Sequence, residues 1–322
     1  MDLSILIVTY NSRRLIDPLL THLQQELAHL DAEVVLVDNA SYDGTAQQVR
    51  AAHPWVRVID STTNLGFAAG NNLAARHARG RHLLLLNPDA LPAPGALRRG
   101  ITLMDQHPQA GLGGGELRGT DGSRQPSARM FPTLRDEFFT LAGLAARHPT
   151  SRLFGRLDRR WADPEQAALV DWIPGAFVFI PAAVWARLGG FDERFFMYYE
   201  EVDLCRRLQA AGLQVHYWPE LKATHIGGAS ARTVAQAQVS KSGSQLERWR
   251  MRSALLYYRK QHGPAAAALL HALERGWHRL RQLKARLQGR AGCAAEFDAH
   301  CRQLVQAWHD TAGGQRCPAR PW

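Results

Sequence analysis

The chain has 322 residues, 46% hydrophobic and 21% charged, with 27 Gly and 16 Pro, enough apolar content to bury a core and too mixed for a collagen, coiled-coil or low-complexity protein. The formal charge of +10 is uneven: residues 1–228 hold 23 basic and 24 acidic side chains, net −1, and residues 229–322 hold 16 and 5, net +11. A balanced body with a basic appendage suits a tail that meets an anionic surface, membrane or nucleic acid.

In chain order, apolar runs at Leu3–Val8, Val34–Val37, Val56–Ile59 and Leu83–Leu86 are separated by polar stretches of helical length. That alternation predicts βαβ units and a parallel sheet covered on both faces. The opening run is strand-length and lacks the basic region of a leader, so it is expected to be a strand. The most apolar window, Trp172 to Trp185, is broken by Pro174 and Pro181 and falls short of the roughly 20 residues a spanning helix needs. Cys205, Cys293, Cys301 and Cys317 show neither CxxC pairing nor dense spacing, which argues against a disulfide framework and for a reducing cytosol.

Each predicted strand ends in a polar cluster: Thr9-Tyr10-Asn11, Asp38-Asn39-Ala40-Ser41 and Asn87-Pro88-Asp89. Capping or turn chemistry explains any one of them. Together they fall at the carboxyl ends of successive strands, where open α/β sheets bind ligands. Asn64-Leu65-Gly66-Phe67, running on to Gly70-Asn71-Asn72, adds a Gly-containing loop that opens a helix. Gly111 to Gly115 lacks the spacing of a dinucleotide fingerprint and predicts a strand entering a turn. Residues 133–160 read as helical with a break at Pro149, and Asp171–Ile180 as a buried strand after a Gly turn.

The stretch Gly190-Phe191-Asp192-Glu193 to Tyr199-Glu200-Glu201-Val202-Asp203-Leu204 places three carboxylates at the start of a predicted helix ending near Ala211. A first helical turn favours acids, but an aromatic approach and a neighbouring carboxylate would also raise a carboxyl pKa toward that of a general base. Val215–Trp218 reads as a strand, followed by His225 in a Gly-rich loop that also holds Ile226, Gly227, Gly228, Ala229 and Ser230. His225 with Asp89 could hold a divalent cation that also meets phosphate oxygens.

These segments, together with Val37-Asp38-Asn39-Ala40-Ser41, Leu86-Asn87-Pro88-Asp89, Gly175-Ala176 and His225-Ile226-Gly227-Gly228, resemble the inverting family-2 glycosyltransferases, rhamnosyltransferase-like branch, over about residues 3–230. The resemblance implies an α/β GT-A-type, Rossmann-like fold: a mostly parallel sheet flanked by helices, with a helical basic C-terminal extension. It implies a nucleotide-sugar-binding half (1–100), an acceptor-binding and catalytic half (101–228) and the extension (229–322). A nucleotide-sugar donor is implied, dTDP-rhamnose by analogy, with Mn or Mg and a glycan or lipid-linked acceptor. By position, Thr9, Tyr10, Asn11, Asp38, Asn39, Asn64, Gly66, Asn71 and Asn87 would bind the donor, and Asp89 and His225 the metal. Trp172, Gly175 and Ala176 would meet the acceptor; Glu201 or Glu200 would be the base, with Asp203 orienting an acceptor hydroxyl or the helix. Asn87 stands where the family has the first acid of its DXD motif, and Glu200-Glu201 where it has Glu-Asp.

An NAD-dependent oxidoreductase would need a Gly-rich first turn where this chain has Thr9-Tyr10-Asn11-Ser12. A nucleic-acid binder would use the basic tail, yet no nucleic-acid motif accompanies it, so no nucleic acid is expected; an inactive sugar-nucleotide binder is the third reading. From Pro264, Leu269, Leu273, Trp277, Leu280, Leu283 and Leu287 recur on one helical face with Arg and Lys elsewhere. Such a stripe either packs on the body or lies in a membrane interface, the latter giving a cytosolic enzyme peripheral on the inner face of the membrane.

Overall fold

The four apolar runs form β1 (Leu3–Thr9), β2 (Ala32–Asp38), β3 (Arg57–Asp60) and β4 (His82–Leu86), paired in parallel in the order β3-β2-β1-β4. Crossovers are supplied by α1 (Arg13–Glu26), α2 (Thr45–Ala52) and α3 (Gly66–Ala75). Because helices cover both faces, Ile5, Leu6, Val35 and Leu36 are all buried, and the strands carry no alternating polar face. The structure is a computed structural model that describes residues 1–226 and 245–318. Gly227, Gly228, Ala229 and Ser230, and with them the expected boundary at residue 228, lie outside the described residues.

The second half of the sheet is mixed. After β5 (Ala90–Pro92) and α4 (Ala96–Gln106) come β6 (Ala110–Arg118), β7 (Arg124–Gln125), α5 (Leu134–Leu141), α6 (Leu144–Arg147) and β8 (Ala168–Leu169). Next are β9 (Phe177–Pro181), α7 (Ala182–Leu188), α8 (Glu200–Ala210) and β10 (Gln214–His225). The order continues β4-β9-β6-β10-β5, with β9 antiparallel to both neighbours and β6 parallel to β10. The Gly-rich run lies inside β6 because its neighbours come so close: a Cβ on Gly113 would sit 1.9 Å from the Trp218 ring, and one on Gly115 1.8 Å from the Leu221 carbonyl.

Two expectations need correction here. Helix between 133 and 160 ends at Arg147, since Gly143 takes φ 74° and Pro149 follows; its start is fixed by a Thr133/Asp136 capping box. The predicted strand 171–180 begins only at Phe177, and the residues before it form a loop whose Trp172 bridges Arg129.

The C-terminal helices are α9 (Gln245–His262), α10 (Pro264–Leu287) and α11 (Ala291–Asp310). They are no detached appendage: Met251, Leu255, Tyr257 and Leu270 share one apolar core with Val35, Leu85 and Val178. The leucine stripe of α10 does not pack on the body. Ala267, Leu270, Glu274 and Ala285 are buried instead, Leu273 and Trp277 are half-buried, and Leu269, Leu280, Leu283 and Leu287 are exposed. Among the described residues, no helix is long and apolar enough to cross a membrane.

Glu274 faces Arg250, Glu137, Glu247 and His300, and burial pushes its carboxyl from 4.5 up to about 7. The folded chain therefore holds this proton more tightly than the unfolded one. The stabilisation is complete below the unfolded pKa and is lost as pH rises through the folded one. Glu274→Gln is expected to raise stability by about 1–3 kcal/mol near pH 8 and to flatten its pH dependence between the two values. Denaturant melts at acid and alkaline pH check this, and a loss confined to alkaline pH would show that the ionised form stabilises the fold.

Candidate active site

The ends of β1 and β2 are tied together. Buried Thr9 donates from Oγ1 to Asp38 Oδ1 at 3.0 Å, and the Ser41 N–H donates to Asp38 Oδ2 at 2.9 Å. Asn11, at φ 49°, accepts from the Tyr42 N–H at 3.0 Å and donates its own N–H to Ser41 Oγ at 2.9 Å. Tyr10 meets Tyr42 edge-on at 6.3 Å, and Tyr42 is 60% exposed, an aromatic that sequence reasoning missed because it stands past the motif.

The neighbouring asparagines act on the backbone. Asn39 donates from Nδ2 to the Gly66 carbonyl (3.0 Å) and accepts from the Leu65 N–H (3.4 Å), Asn64 Oδ1 accepts from the Gly66 N–H (3.0 Å), and Asn71 donates to the Phe67 carbonyl (2.9 Å). Asn39, Asn64 and Asn71, expected to touch a nucleotide, are buried, and the bonds above use both ends of the Asn39 amide and one end each of Asn64 and Asn71 to shape this loop. Gly66 has φ 83°, and a Cβ there would lie 2.3 Å from the Phe196 carbonyl, which accepts from the Phe67 N–H at 2.8 Å. Only glycine allows this closure, and it docks the loop against the approach to α8.

That approach is a sharp turn, with Tyr198 at φ 70° and Tyr199 at φ 67°. Conformations that cost non-glycine residues free energy persist only when their surroundings hold them. Here α9 does so almost residue by residue. Trp249 stacks on Phe196 at 4.4 Å, Ser253 Oγ donates to the Met197 carbonyl at 2.8 Å, and Tyr257 lies 5.2 Å from Tyr199. From α5, Glu137 accepts from the hydroxyls of Tyr199 and Tyr258 at 3.4 and 3.3 Å.

The turn delivers Glu200 and Glu201 side by side. Their carboxyls hydrogen-bond to one another; burial pushes both up, Glu200 the further because the Glu201 charge adds to it. Each keeps a buried Oε2 that accepts from no protein group. Two carboxyls so close resist being ionised together. The Arg129 charge and the Gly175 N–H favour the ionised form of Glu201, while the Glu201 charge pushes Glu200 further up.

The second cluster is built by pairing β5 with β10, which sets His225 opposite Ala90. Asp89 Oδ1 lies 3.4 Å from His225 Nε2, and Asn87 Nδ2 is 3.5 Å from the same nitrogen. Gln125, unforeseen from sequence, clamps the ring: its Nε2 donates to the His225 carbonyl at 2.6 Å, so its Oε1 is the atom facing Nδ1 at 2.8 Å. The ring is thereby held with Nε2 toward the Asp89 carboxylate, and a clamped imidazole beside a carboxylate suits a divalent ion. Among the described residues, no group of three His, Cys, Asp or Glu is arranged as a metal site, so a cation would complete its shell from Asn87, the ligand and water.

Gly175 and Ala176 join the clusters. The Gly175 N–H favours the ionised form of Glu201, and the Ala176 carbonyl accepts from the Asn87 N–H at 3.0 Å. Two expected residues lie elsewhere. Asp203 is fully buried, bonded to Arg207 at 2.9 Å, Lys260 at 2.7 Å and Gln261 at 2.8 Å, so of the two roles expected for it these bonds serve the second: it holds the helix, tying α8 to α9. Trp172 is buried, donates to the Met130 carbonyl at 3.0 Å, and carries the Arg129 guanidinium 4.5 Å over its ring, where a sugar face was expected.

Residues 4–157 match the family described as Glycosyl transferase family 2. The N-acetylglucosaminyl-diphospho-decaprenol L-rhamnosyltransferase of Mycobacterium tuberculosis is 32% identical over 223 residues, covering 63% of this chain and 71% of that protein. The rhamnosyltransferase WbbL of Escherichia coli is 27% identical over 202 residues, 60% of this chain and 69% of WbbL. Among solved structures, the mannosyltransferase PcManGT from Pyrobaculum calidifontis, in complex with GDP-Man and Mn2+, superposes with a TM-score of 0.53 at 18% identity, over 98% of this chain and 88% of the other. TarS from S. aureus with UDP-GlcNAc gives 0.51 at 17%, over 96% and 92%. These likenesses show the GT-A-type fold.

Proposed function

We propose that this chain, which belongs to glycosyltransferase family 2 and is a glycosyltransferase, moves rhamnose from a nucleoside-diphosphate donor to a hydroxyl of a lipid-linked or other glycan acceptor, with inversion at the anomeric carbon. The observation that carries the reading is a two-residue strip of backbone: the Gly175 N–H favours the ionised form of Glu201, and the next residue, Ala176, accepts from the Asn87 N–H, so the proton acceptor and the acidic-imidazole cluster flank one short stretch of chain. Rhamnose and the lipid-linked acceptor are supported by what the mycobacterial relative is named for.

In this reading the β1 and β2 ends, with Asp38 buttressed by Thr9 and Ser41, receive the nucleoside, and Tyr10 and Tyr42 offer ring faces to its base. Asp89, His225 and Asn87 would hold a divalent cation, Mn or Mg, which supplies charge stabilisation for the departing diphosphate. Glu201 takes the proton of the attacking hydroxyl, and Glu200, already protonated, keeps that carboxylate oriented. With one base and a leaving group that needs no protein acid, a single displacement follows, and a single displacement inverts. In this reading the enzyme works on the cytoplasmic side, at the membrane surface where a lipid-linked acceptor would reside.

A panel of nucleotide sugars screened for thermal stabilisation with Mn or Mg tests the donor. dTDP-rhamnose is expected to stabilise by about 2.7 kcal/mol at a hundredfold excess over its Kd. Stabilisation by a different nucleotide sugar alone would overturn the donor, and none by any would overturn the function.

A further inference from the structure

Helix α10 turns its apolar stripe away from the protein. Leu269, Leu280, Leu283 and Leu287 are 57, 64, 55 and 80% exposed, whereas the face that meets α5, α9 and α11 is made of Ala267, Leu270, Glu274 and Ala285. At 3.6 residues per turn the four leucines fall within an arc of about 60°, on the order of 150° from the buried set, and span roughly 27 Å along the axis. Small residues, Ala272 and Gly276, fill the same outer face. Arg279 and Arg286 flank the stripe on one side and Lys284 on the other, Arg290 follows just past the helix end, all four exposed, and Glu274, the one acid of the helix, is buried on the far face. A surface helix normally does the reverse, burying leucine and exposing charge.

We propose that the outer face of α10 docks on a bilayer containing anionic lipid, its leucines at the boundary between headgroups and acyl chains and its arginines on the lipid phosphates. Charge decides the occupant. A second copy laid against this stripe would bring the two arginine rows together with no acid on either face to pair them. An anionic lipid surface neutralises those same rows while accepting the leucines. The helix would lie in the plane of the interface, consistent with its lack of spanning character. The proposal deepens the lipid-linked-acceptor reading, and its test does not depend on that reading.

The full chain would be co-sedimented with phosphatidylcholine vesicles and with vesicles of phosphatidylcholine and phosphatidylglycerol. Strong binding only to the second is expected. Replacing Leu269, Leu280, Leu283 and Leu287 together by Gln should weaken it at least tenfold, by about the transfer free energy of the lost apolar groups. Replacing Arg279, Lys284, Arg286 and Arg290 by Gln should weaken it about fivefold per charge and erase the preference for phosphatidylglycerol. All eight side chains are exposed, and unchanged melting temperatures would show that the variants fold. Binding indifferent to lipid charge, or retained by the leucine variant, would overturn the proposal. So would a dimer in light scattering that the leucine variant abolishes while vesicles bind nothing. Transfer to a water-soluble acceptor at the wild-type rate by the leucine variant separates docking from catalysis; absence of transfer in wild type as well would sink the enzyme reading and leave the vesicle result standing.

Discussion

Glu201→Gln is expected to lower turnover by roughly 10²–10⁴ while leaving donor affinity near wild type, because the amide keeps the shape and the bond from Gly175 but cannot take a proton. The companion variant makes the test specific. Glu200→Gln puts a permanent N–H donor where the protonated carboxyl stands, so its turnover should fall by no more than about tenfold. The pH profile follows from the same geometry. Burial holds Glu201 above the ordinary carboxylate range, against the lowering pull of the Arg129 charge and the Glu200 hydrogen bond. Activity should be lost as pH falls through that raised value, with the acid limb shifted toward neutrality rather than lying near 4.5. An inactive Glu200→Gln beside an active Glu201→Gln would move the base by one residue. Equal small losses in both would sink the single-base mechanism.

What could be read beforehand was whatever the chain repeats locally. The parallel strands end in polar clusters at the sheet's carboxyl edge, and that rule brought Asp38, Asn87 and Asp89 to attention as candidates from their place in the chain. The carboxylate pair was visible too, since its neighbours in sequence are its neighbours in space. Groups whose partners are far away along the chain were not. Gln125 clamps His225 from 100 positions away, inside a stretch with no periodicity. The contacts by which α9 holds the turn at Tyr198 and Tyr199 come from Trp249, Ser253 and Tyr257, which form no motif. Asp203 is the same lesson reversed: it reads as part of an acidic motif, yet Lys260, 57 positions on by the numbering, takes its charge. The periodicity of α10 was legible and its direction was not, because the helix packs through alanine and a buried Glu274 facing Arg250.

Asp89→Asn is expected to cut turnover by roughly 10²–10³ and to abolish tight Mn(II) binding followed by electron paramagnetic resonance. The argument rests on the clamped ring. The Gln125 contact at Nδ1 holds Nε2 3.4 Å from the Asp89 carboxylate. Asp89→Asn keeps the shape of that side chain and removes its charge, so it should lose the stabilisation that added Mn gives wild type. Gln125→Ala attacks the same site from behind. Freed of its partner, the ring can turn and change tautomer, and outer-shell losses of this kind weaken a metal about 10–100-fold. Mn affinity should fall with Gln125→Ala and recover in Gln125→Asn only if the shorter amide still reaches Nδ1. Wild-type Mn binding in both Asp89→Asn and Gln125→Ala, with turnover unaffected by chelator, would remove the metal from the site and leave His225 as a proton carrier against Asp89.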